Sequence, residues 1–435
     1  MDYLIEPAAV GDATVRVPGD KSISHRAIML GSIAEGTSHV RGFLPGEDCL
    51  ATLRAFRAMG VAITSIDETS LSIEGVGLDG LRAPGARLDL GNSGTAMRLM
   101  AGLLAGQSFD TELVGDASLS GRPMDRIIEP LTRMGAVIES DCDGTPPLQI
   151  RGGLRLGAID YVLPVASAQV KSCVLLAGLY ADGETSVTEP AVTRDHTERM
   201  LRTLGATVRS RGGQVSVSAR PRLKGAELEV PGDLSSAAFV VLAALLGTDS
   251  EVTIRSVGVN PSRTGVLDIL KSMGADIELL NPRSLGAEPV ADLRVRSSAL
   301  EGTRVDPGLV SLAIDEFPVL FVAAAAAKGE TVFDGLAELR VKESDRVAAM
   351  AEGLAAMGIE VEENDDGAIV RGGTLGGGTV DSHDDHRIAM ALSVAATVAS
   401  GPVRVRDVDN VATSFPGFVD LLSGLGANIT TDSGS

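Results

Sequence analysis

The chain has 435 residues, more than one hydrophobic core buries, so two or three domains are expected. It is 44% hydrophobic and 22% charged, which predicts a folded protein rather than a disordered one. A net charge of −20, 3% aromatics and no Trp exclude a nucleic-acid partner, which would meet a basic face or aromatic stacking platforms. Acidity does not exclude an anionic small molecule, because exposed charges are screened beyond about 8 Å and a local group of Lys and Arg can dominate its own surroundings. The longest apolar runs, such as Phe317 to Ala327, fall short of the ~20 residues of a membrane helix. Cys49, Cys142 and Cys173 are odd in number and form no C-x-x-C pair, so neither a disulfide framework nor a zinc site is expected. With an N-terminus that lacks a basic start and a sustained apolar core, this predicts a cytoplasmic location.

In chain order, the predicted elements repeat. Six Ala/Leu/Val-rich helices follow polar clusters near Lys21, Asn92, Ser167, Ser235, Asp315 and Asp384. They are apolar nearly all round, the mark of helices buried inside a domain. Each is followed by a Gly-containing turn and a strand. Interleaved with them runs a second signature, Leu-x-x-Met/Leu-Gly and then an alternating stretch, around Gly135, Gly205, Gly274, Gly358 and Gly426, with a looser copy around Gly60. These glycines are read as residues just past a helix C-terminus, where φ > 0 turns the chain into a strand. Successive glycines are 75, 70, 69, 84 and 68 residues apart, so the chain reads as six α/β units. Val17-Pro-Gly-Asp-Lys-Ser is echoed by Val230-Pro-Gly-Asp-Leu-Ser, and Pro-Gly punctuation suits a chain crossing between lobes. Two lobes of three units are therefore expected, one over 20–232 and the other over 1–19 with 233–435.

Polar helix starts are candidate anion sites, because a helix N-terminus exposes unpaired N–H groups and the positive end of its dipole. Lys21, Arg26, Arg122, Lys342, Arg346 and Arg387 all lie near helix starts or turns. Other readings of the motifs fail on residue type. Gly19-Asp-Lys-Ser lacks the upstream glycines of a P-loop. The run Gly372 to Gly378 reads as a connection between strands. His383, Asp384, Asp385 and His386 are crowded and lack a third ligand, so no metal is expected. His25 and His196 read as structural, and Cys173 as core.

Motifs along nearly the whole chain resemble the 5-enolpyruvylshikimate-3-phosphate synthase family. They are GDKSISHR from Gly19, GNSGTAMR from Gly91, GRPMDR from Gly121, SAQVK from Ser167, RDHTE from Arg194, IDEFPVL from Ile314, RVKESDR from Arg340 and DDHRIAM from Asp384. SAQVK and RDHTE are similar to the family's class II branch. The resemblance implies an α/β fold of two lobes, each of three βαβαββ units with buried parallel helices, and an active site in the cleft between lobes that close on substrate. It implies a monomer that needs no cofactor and joins phosphoenolpyruvate to the 5-hydroxyl of shikimate 3-phosphate.

The same resemblance assigns shikimate 3-phosphate to Lys21, Ser22, Arg26, Ser167, Ala168, Gln169, Arg194, Asp315 and Lys342. It assigns phosphoenolpyruvate to Lys21, Gly94, Arg122, Gln169, Arg346 and Arg387. The 5-hydroxyl must lose a proton while C3 of phosphoenolpyruvate gains one, so Asp315 is expected to be the base, and Glu343 with Lys21 the acid.

The chain departs from some family members at Glu338, at Leu99, and at Thr413 and Ser414, where a Lys contact to phosphoenolpyruvate is missing. Three rivals fare worse. The sister transferase acting on UDP-N-acetylglucosamine carries a reactive Cys where this chain has Ala117. A non-catalytic anion-binding protein would not retain Lys21, Asp315 and Glu343. A nucleic-acid enzyme of related architecture meets the charge of −20. The tail after Ile429 is expected to be mobile.

Overall fold

The repeat glycines set the local geometry. Gly60, Gly135, Gly205, Gly274, Gly358 and Gly426 have φ between +85° and +108°, each one residue past the C-cap of a surface helix. Only glycine adopts this conformation without a steric penalty, so each of these helices stops there and the chain turns towards a strand. The structure is a computed structural model and describes residues 1–432.

The six apolar helices are α1 (Lys21–Ser32), α2 (Gly94–Leu104), α3 (Ala168–Gly178), α4 (Leu234–Leu246), α5 (Phe317–Ala326) and α6 (His386–Thr397). Five begin at a capping side chain: Asp20, Ser93, Ser167, Asp233 and Asp385 each accept a hydrogen bond from a first-turn N–H. Helix α5 instead carries Pro318 in its first turn, where the missing N–H costs nothing.

The chain divides into two units at Pro18–Gly19 and Val230–Pro231, inside the two Val-Pro-Gly-Asp segments. One unit holds 1–18, 231–284 and 289–435; the other holds 19–230 with the short stretch 285–288. In the second unit, α2 packs on α1 and α3. In the first, α4, α5 and α6 pack on one another. Each unit has its own continuous apolar core built on these helices.

Among the described residues six small sheets surround the helices, three to a unit. Four of the five four-stranded sheets have one parallel and two antiparallel pairings. An example is Leu88–Asp89 beside Thr111–Val114, followed by Leu148–Ile150 and Ile138–Glu139. Strands distant in sequence complete several sheets. Ala13–Val15 pairs in parallel with Glu251–Gly258, and Glu227–Glu229 with Glu35–Arg41. Asp2–Glu6 lies between Val403–Arg406 and Asn428–Asp432. The sheet of Glu330–Asp334, Gly367–Arg371 and Glu360–Asn364 has three strands, with single parallel bridges from Glu301 and Arg304 in place of the fourth.

The expected mobile tail is corrected here. Thr430, Thr431 and Asp432 belong to a strand whose partners are Leu4, Tyr3 and Asp2, so backbone pairing orders them. The rest of that tail, 433–435, lies outside the described residues. Gly19 serves close packing: a Cβ there would fall 1.8 Å from the carbonyl oxygen of Gly42. The run Gly372 to Gly377 connects the strands Gly367–Arg371 and Gly378–Asp381.

Candidate active site

The candidate residues form one polar cluster in each unit. In the unit of residues 19–230, Lys21 opens α1, and its Nζ lies 3.0 Å from Oδ2 of Asp48 in the first turn of helix Glu47–Ala58. Ser22 follows, and its carbonyl accepts a 2.9 Å bond from Nη1 of Arg26. The remaining Arg26 bonds go to hydroxyls, Nε to Oγ1 of Thr197 at 2.6 Å and Nη2 to Oγ of Ser172 at 2.8 Å. Burial pushes the guanidinium pKa down to about 10, against the pull of Glu198 and Asp20 and with the charge of Arg194 adding to the fall. Arg194 itself lies two residues before helix His196–Thr203.

Ser167 caps α3 by accepting from the N–H of Val170 at 3.3 Å, which leaves Ala168 and Gln169 as its first two residues. The Gln169 amide is fixed at both ends: Oε1 accepts from Nη1 of Arg98 at 2.8 Å, and Nε2 donates to Oγ1 of Thr95 at 3.0 Å. Arg122 is buried and donates from Nη2 to Asn92 Oδ1 at 2.6 Å and Ser118 Oγ at 3.1 Å. Gly94 opens α2 between the two arginines. A Cβ there would stand 3.0 Å from Nη1 of Arg98 and 3.3 Å from Nη1 of Arg122, so only glycine leaves both guanidinium groups unforced.

His25 lies under this surface, fully buried between Oγ1 of Thr52 at 2.8 Å and Oγ of Ser93 at 3.4 Å. Burial, with Lys21 and Arg26 nearby, pushes its pKa down to about 3, so the ring is neutral. His196 is also buried, with Nδ1 2.8 Å from Oε1 of Glu288. Both histidines hold structure together.

In the other unit the cluster is built around Arg346, the first residue of helix Arg346–Ala356 and 1% exposed. Its Nε donates to Oδ2 of Asp385 at 2.8 Å, Nη2 to Oε2 of Glu343 at 2.6 Å, and Nη1 to Oδ1 of Asp315 at 3.4 Å. Burial works against this charge, but Asp385, Glu343 and Asp315 outweigh it and hold the guanidinium pKa above its ordinary value. Asp385 is fully buried and also caps α6 through the N–H of Arg387.

Asp315 gathers two further cations. Lys342 Nζ lies 3.8 Å from Oδ1, and Arg387 Nη2 lies 3.9 Å from Oδ2 while Nη1 donates to the Asp315 carbonyl at 3.1 Å. The structure thus brings Asp315, Lys342, Glu343, Arg346 and Arg387 together in this unit. It brings Lys21, Ser22 and Arg26 together on α1, and sets Gly94, Arg122 and Gln169 around Arg98.

Sequence reasoning left Asp48, Arg98, Asp385, Thr197 and Ser172 without roles. Arg98, Asp385 and Thr197 stand inside the quoted motifs, which was the available signal; Asp48 stands in none. Asp385 is engaged by Arg346, and His383 faces Glu352 at 3.2 Å. Among the described residues no group of three or more His, Cys, Asp or Glu side chains could hold a metal ion. Thr413 bonds the carbonyl of Asn410 at 2.7 Å in a 3₁₀ turn. Burial raises the pKa of the Cys173 thiol far above its ordinary value, which suits a core residue.

Three comparisons bear on these clusters. Residues 6–422 match the family model described as EPSP synthase (3-phosphoshikimate 1-carboxyvinyltransferase). A 3-phosphoshikimate 1-carboxyvinyltransferase of Alkalilimnicola ehrlichii is 60% identical over 431 residues, covering 99% of this chain and 97% of the relative. One from Methylococcus capsulatus is 60% identical over 415 residues, 95% of each chain. The solved EPSP synthase of Acinetobacter baumannii superposes with a TM-score of 0.89 at 50% identity and full coverage of both chains. The enolpyruvyl transferase NikO of Streptomyces tendae superposes with a TM-score of 0.79 over 99% of this chain and 98% of its own, but at 18% identity, which speaks for the shared fold alone.

Proposed function

The chain belongs to the EPSP synthase family, the 3-phosphoshikimate 1-carboxyvinyltransferases, and on that premise we propose how its two clusters divide the reaction. The enzyme transfers the enolpyruvyl group of phosphoenolpyruvate to shikimate 3-phosphate. The observation that carries the reading of the site is the setting of Asp315, a carboxylate 3.4 to 3.9 Å from Arg346, Lys342 and Arg387.

In this reading Asp315 takes the proton of the 5-hydroxyl as its oxygen bonds to C2 of phosphoenolpyruvate. Glu343, with Lys21, delivers a proton to C3. The tetrahedral intermediate then loses a proton from C3 and expels phosphate from C2, which restores the double bond in the product enol ether. The bond from Arg346 to Glu343 at 2.6 Å supports a fixed orientation for that carboxyl group. Each positioned acid or base is worth about 10²–10⁴-fold.

Binding falls to the cations and the helix starts. Lys21, Ser22, Arg26, Ser167, Ala168, Gln169, Arg194, Asp315 and Lys342 are assigned to shikimate 3-phosphate. The capped start of α3 supports this through backbone N–H groups that suit a phosphate. Lys21, Gly94, Arg122, Gln169, Arg346 and Arg387 are assigned to phosphoenolpyruvate, and the planar forks of the arginines suit its carboxylate and phosphate.

Because these residues divide between two units, closure on shikimate 3-phosphate belongs to the same reading. So do a monomeric state and a cytoplasmic location, the latter supported by three free cysteines. Glyphosate inhibition is included as well, since Gly94 keeps the space beside the phosphoenolpyruvate residues open.

The test is phosphate release from shikimate 3-phosphate and phosphoenolpyruvate, with the product enol ether identified by NMR. UDP-N-acetylglucosamine is the control acceptor. Release with that acceptor and none with shikimate 3-phosphate would overturn the assignment.

A further inference from the structure

The reaction as read above gives Lys171 of the SAQVK segment no part, yet Lys171 is 1% exposed. A buried ammonium is costly unless paired. Here Nζ lies 2.9 Å from Oε2 of Glu189 and 2.8 Å from Oε1 of Glu198, and donates to the Thr193 carbonyl at 3.4 Å. The two carboxylates are not equivalent. Burial raises the pKa of Glu189, although Lys171 and the hydroxyl of Thr193 pull it the other way. Glu198 is more deeply buried and directly follows Thr197, whose hydroxyl accepts from Nε of Arg26.

Glu198 therefore stands beside Arg26, and its charge acts on that guanidinium. Yet all three Arg26 bonds end on neutral oxygens, those of Thr197, Ser172 and the Ser22 carbonyl. A guanidinium held by neutral oxygens keeps its charge for an anionic ligand, whereas a carboxylate partner would neutralise it. We propose that Lys171 is a positioning residue: by holding Glu198 it keeps that carboxylate off Arg26 and preserves the charge that Arg26 offers to shikimate 3-phosphate. This rests on the assignment of Arg26 to shikimate 3-phosphate made above.

Steady-state kinetics of the full chain test both layers. Arg26→Met should raise KM for shikimate 3-phosphate far more than KM for phosphoenolpyruvate; if it does not, the assignment of Arg26 fails whatever Lys171 does. With that assignment standing, Lys171→Met should raise KM for shikimate 3-phosphate about tenfold and leave KM for phosphoenolpyruvate within about twofold. Adding Glu198→Gln to Lys171→Met should return KM to within about threefold of the wild type, because the carboxylate freed to turn to Arg26 is gone.

Lys171→Gln keeps a hydrogen-bond donor in place and is read in the same way if Lys171→Met is not recovered folded. A purely structural role would lower the melting temperature and the active fraction while KM for shikimate 3-phosphate stays put, and that result overturns the proposal. A rise in KM that Glu198→Gln does not reverse overturns it too, as does failure of both Lys171 variants to fold.

Discussion

The two polar clusters hold their arginines in opposite ways. Arg346 is surrounded by carboxylates, bonding to Asp385, Glu343 and Asp315 through all three nitrogens. Arg26, equally buried, bonds only to hydroxyls and a carbonyl, while the neighbouring Glu198 is taken by Lys171. A cation bonded to carboxylates holds those carboxylates in a fixed orientation. A cation held by neutral oxygens retains its charge for a ligand. Under the proposed assignment the contrast fits proton transfer at Asp315 and Glu343, with Arg346 orienting both as well as meeting phosphoenolpyruvate, and a charge kept for shikimate 3-phosphate at Arg26.

The sharpest break in this comparison is Asp385→Asn. It leaves Arg346 buried without its most deeply buried carboxylate partner, and removal of one partner of a buried ion pair costs about 3–5 kcal/mol. Urea unfolding should show that loss, whereas Ser172→Ala, which removes one hydroxyl from Arg26, should cost only about 1.5–3 kcal/mol.

Next in size is a pH effect from the hydroxyl-lined side. His25 has a folded pKa of about 3 against an ordinary 6.5, so between those values the unfolded chain binds the extra proton. Its contribution is fully present above pH 6.5 and is lost as the pH falls towards 3, at up to about 1.4 kcal/mol per pH unit. Unfolding free energies measured from pH 7 to 4 should fall along that slope, and His25→Gln should flatten it.

The smallest expected change is at Gly94. The Cβ of Gly94→Ala must displace the tips of Arg98 and Arg122 by a few tenths of an ångström. KM for phosphoenolpyruvate should rise about tenfold, the equivalent of one lost charge-assisted bond, with KM for shikimate 3-phosphate little changed. An equal rise in both would show that Gly94 does not separate the two substrates.

The parts of this molecule legible in the sequence were the local ones. The six repeat glycines required only the left-handed turn that follows a helix, and all six adopt it. The polar residues ahead of the apolar helices were legible as helix starts, and at five of the six a side chain there caps the helix, as Ser93, Ser167 and Asp385 do by accepting from N–H groups two or three residues on. The partners of Arg26 were not legible: Ser172 and Thr197 are 146 and 171 residues distant and carry no pattern that links them to α1. Asp48, 27 residues from Lys21, is hidden for the same reason. The strand at Thr430 was misread because position near the terminus was weighed without its distant partner, Asp2–Glu6.

The central claim is that Asp315 moves the proton of the acceptor hydroxyl. The most direct measurement is phosphate release by Asp315→Asn beside the wild type, with calorimetric binding of shikimate 3-phosphate to both. The account predicts turnover reduced about 10²–10⁴-fold while the variant still binds shikimate 3-phosphate. Turnover above about a tenth of the wild-type rate would contradict it, because a carboxamide cannot take that proton.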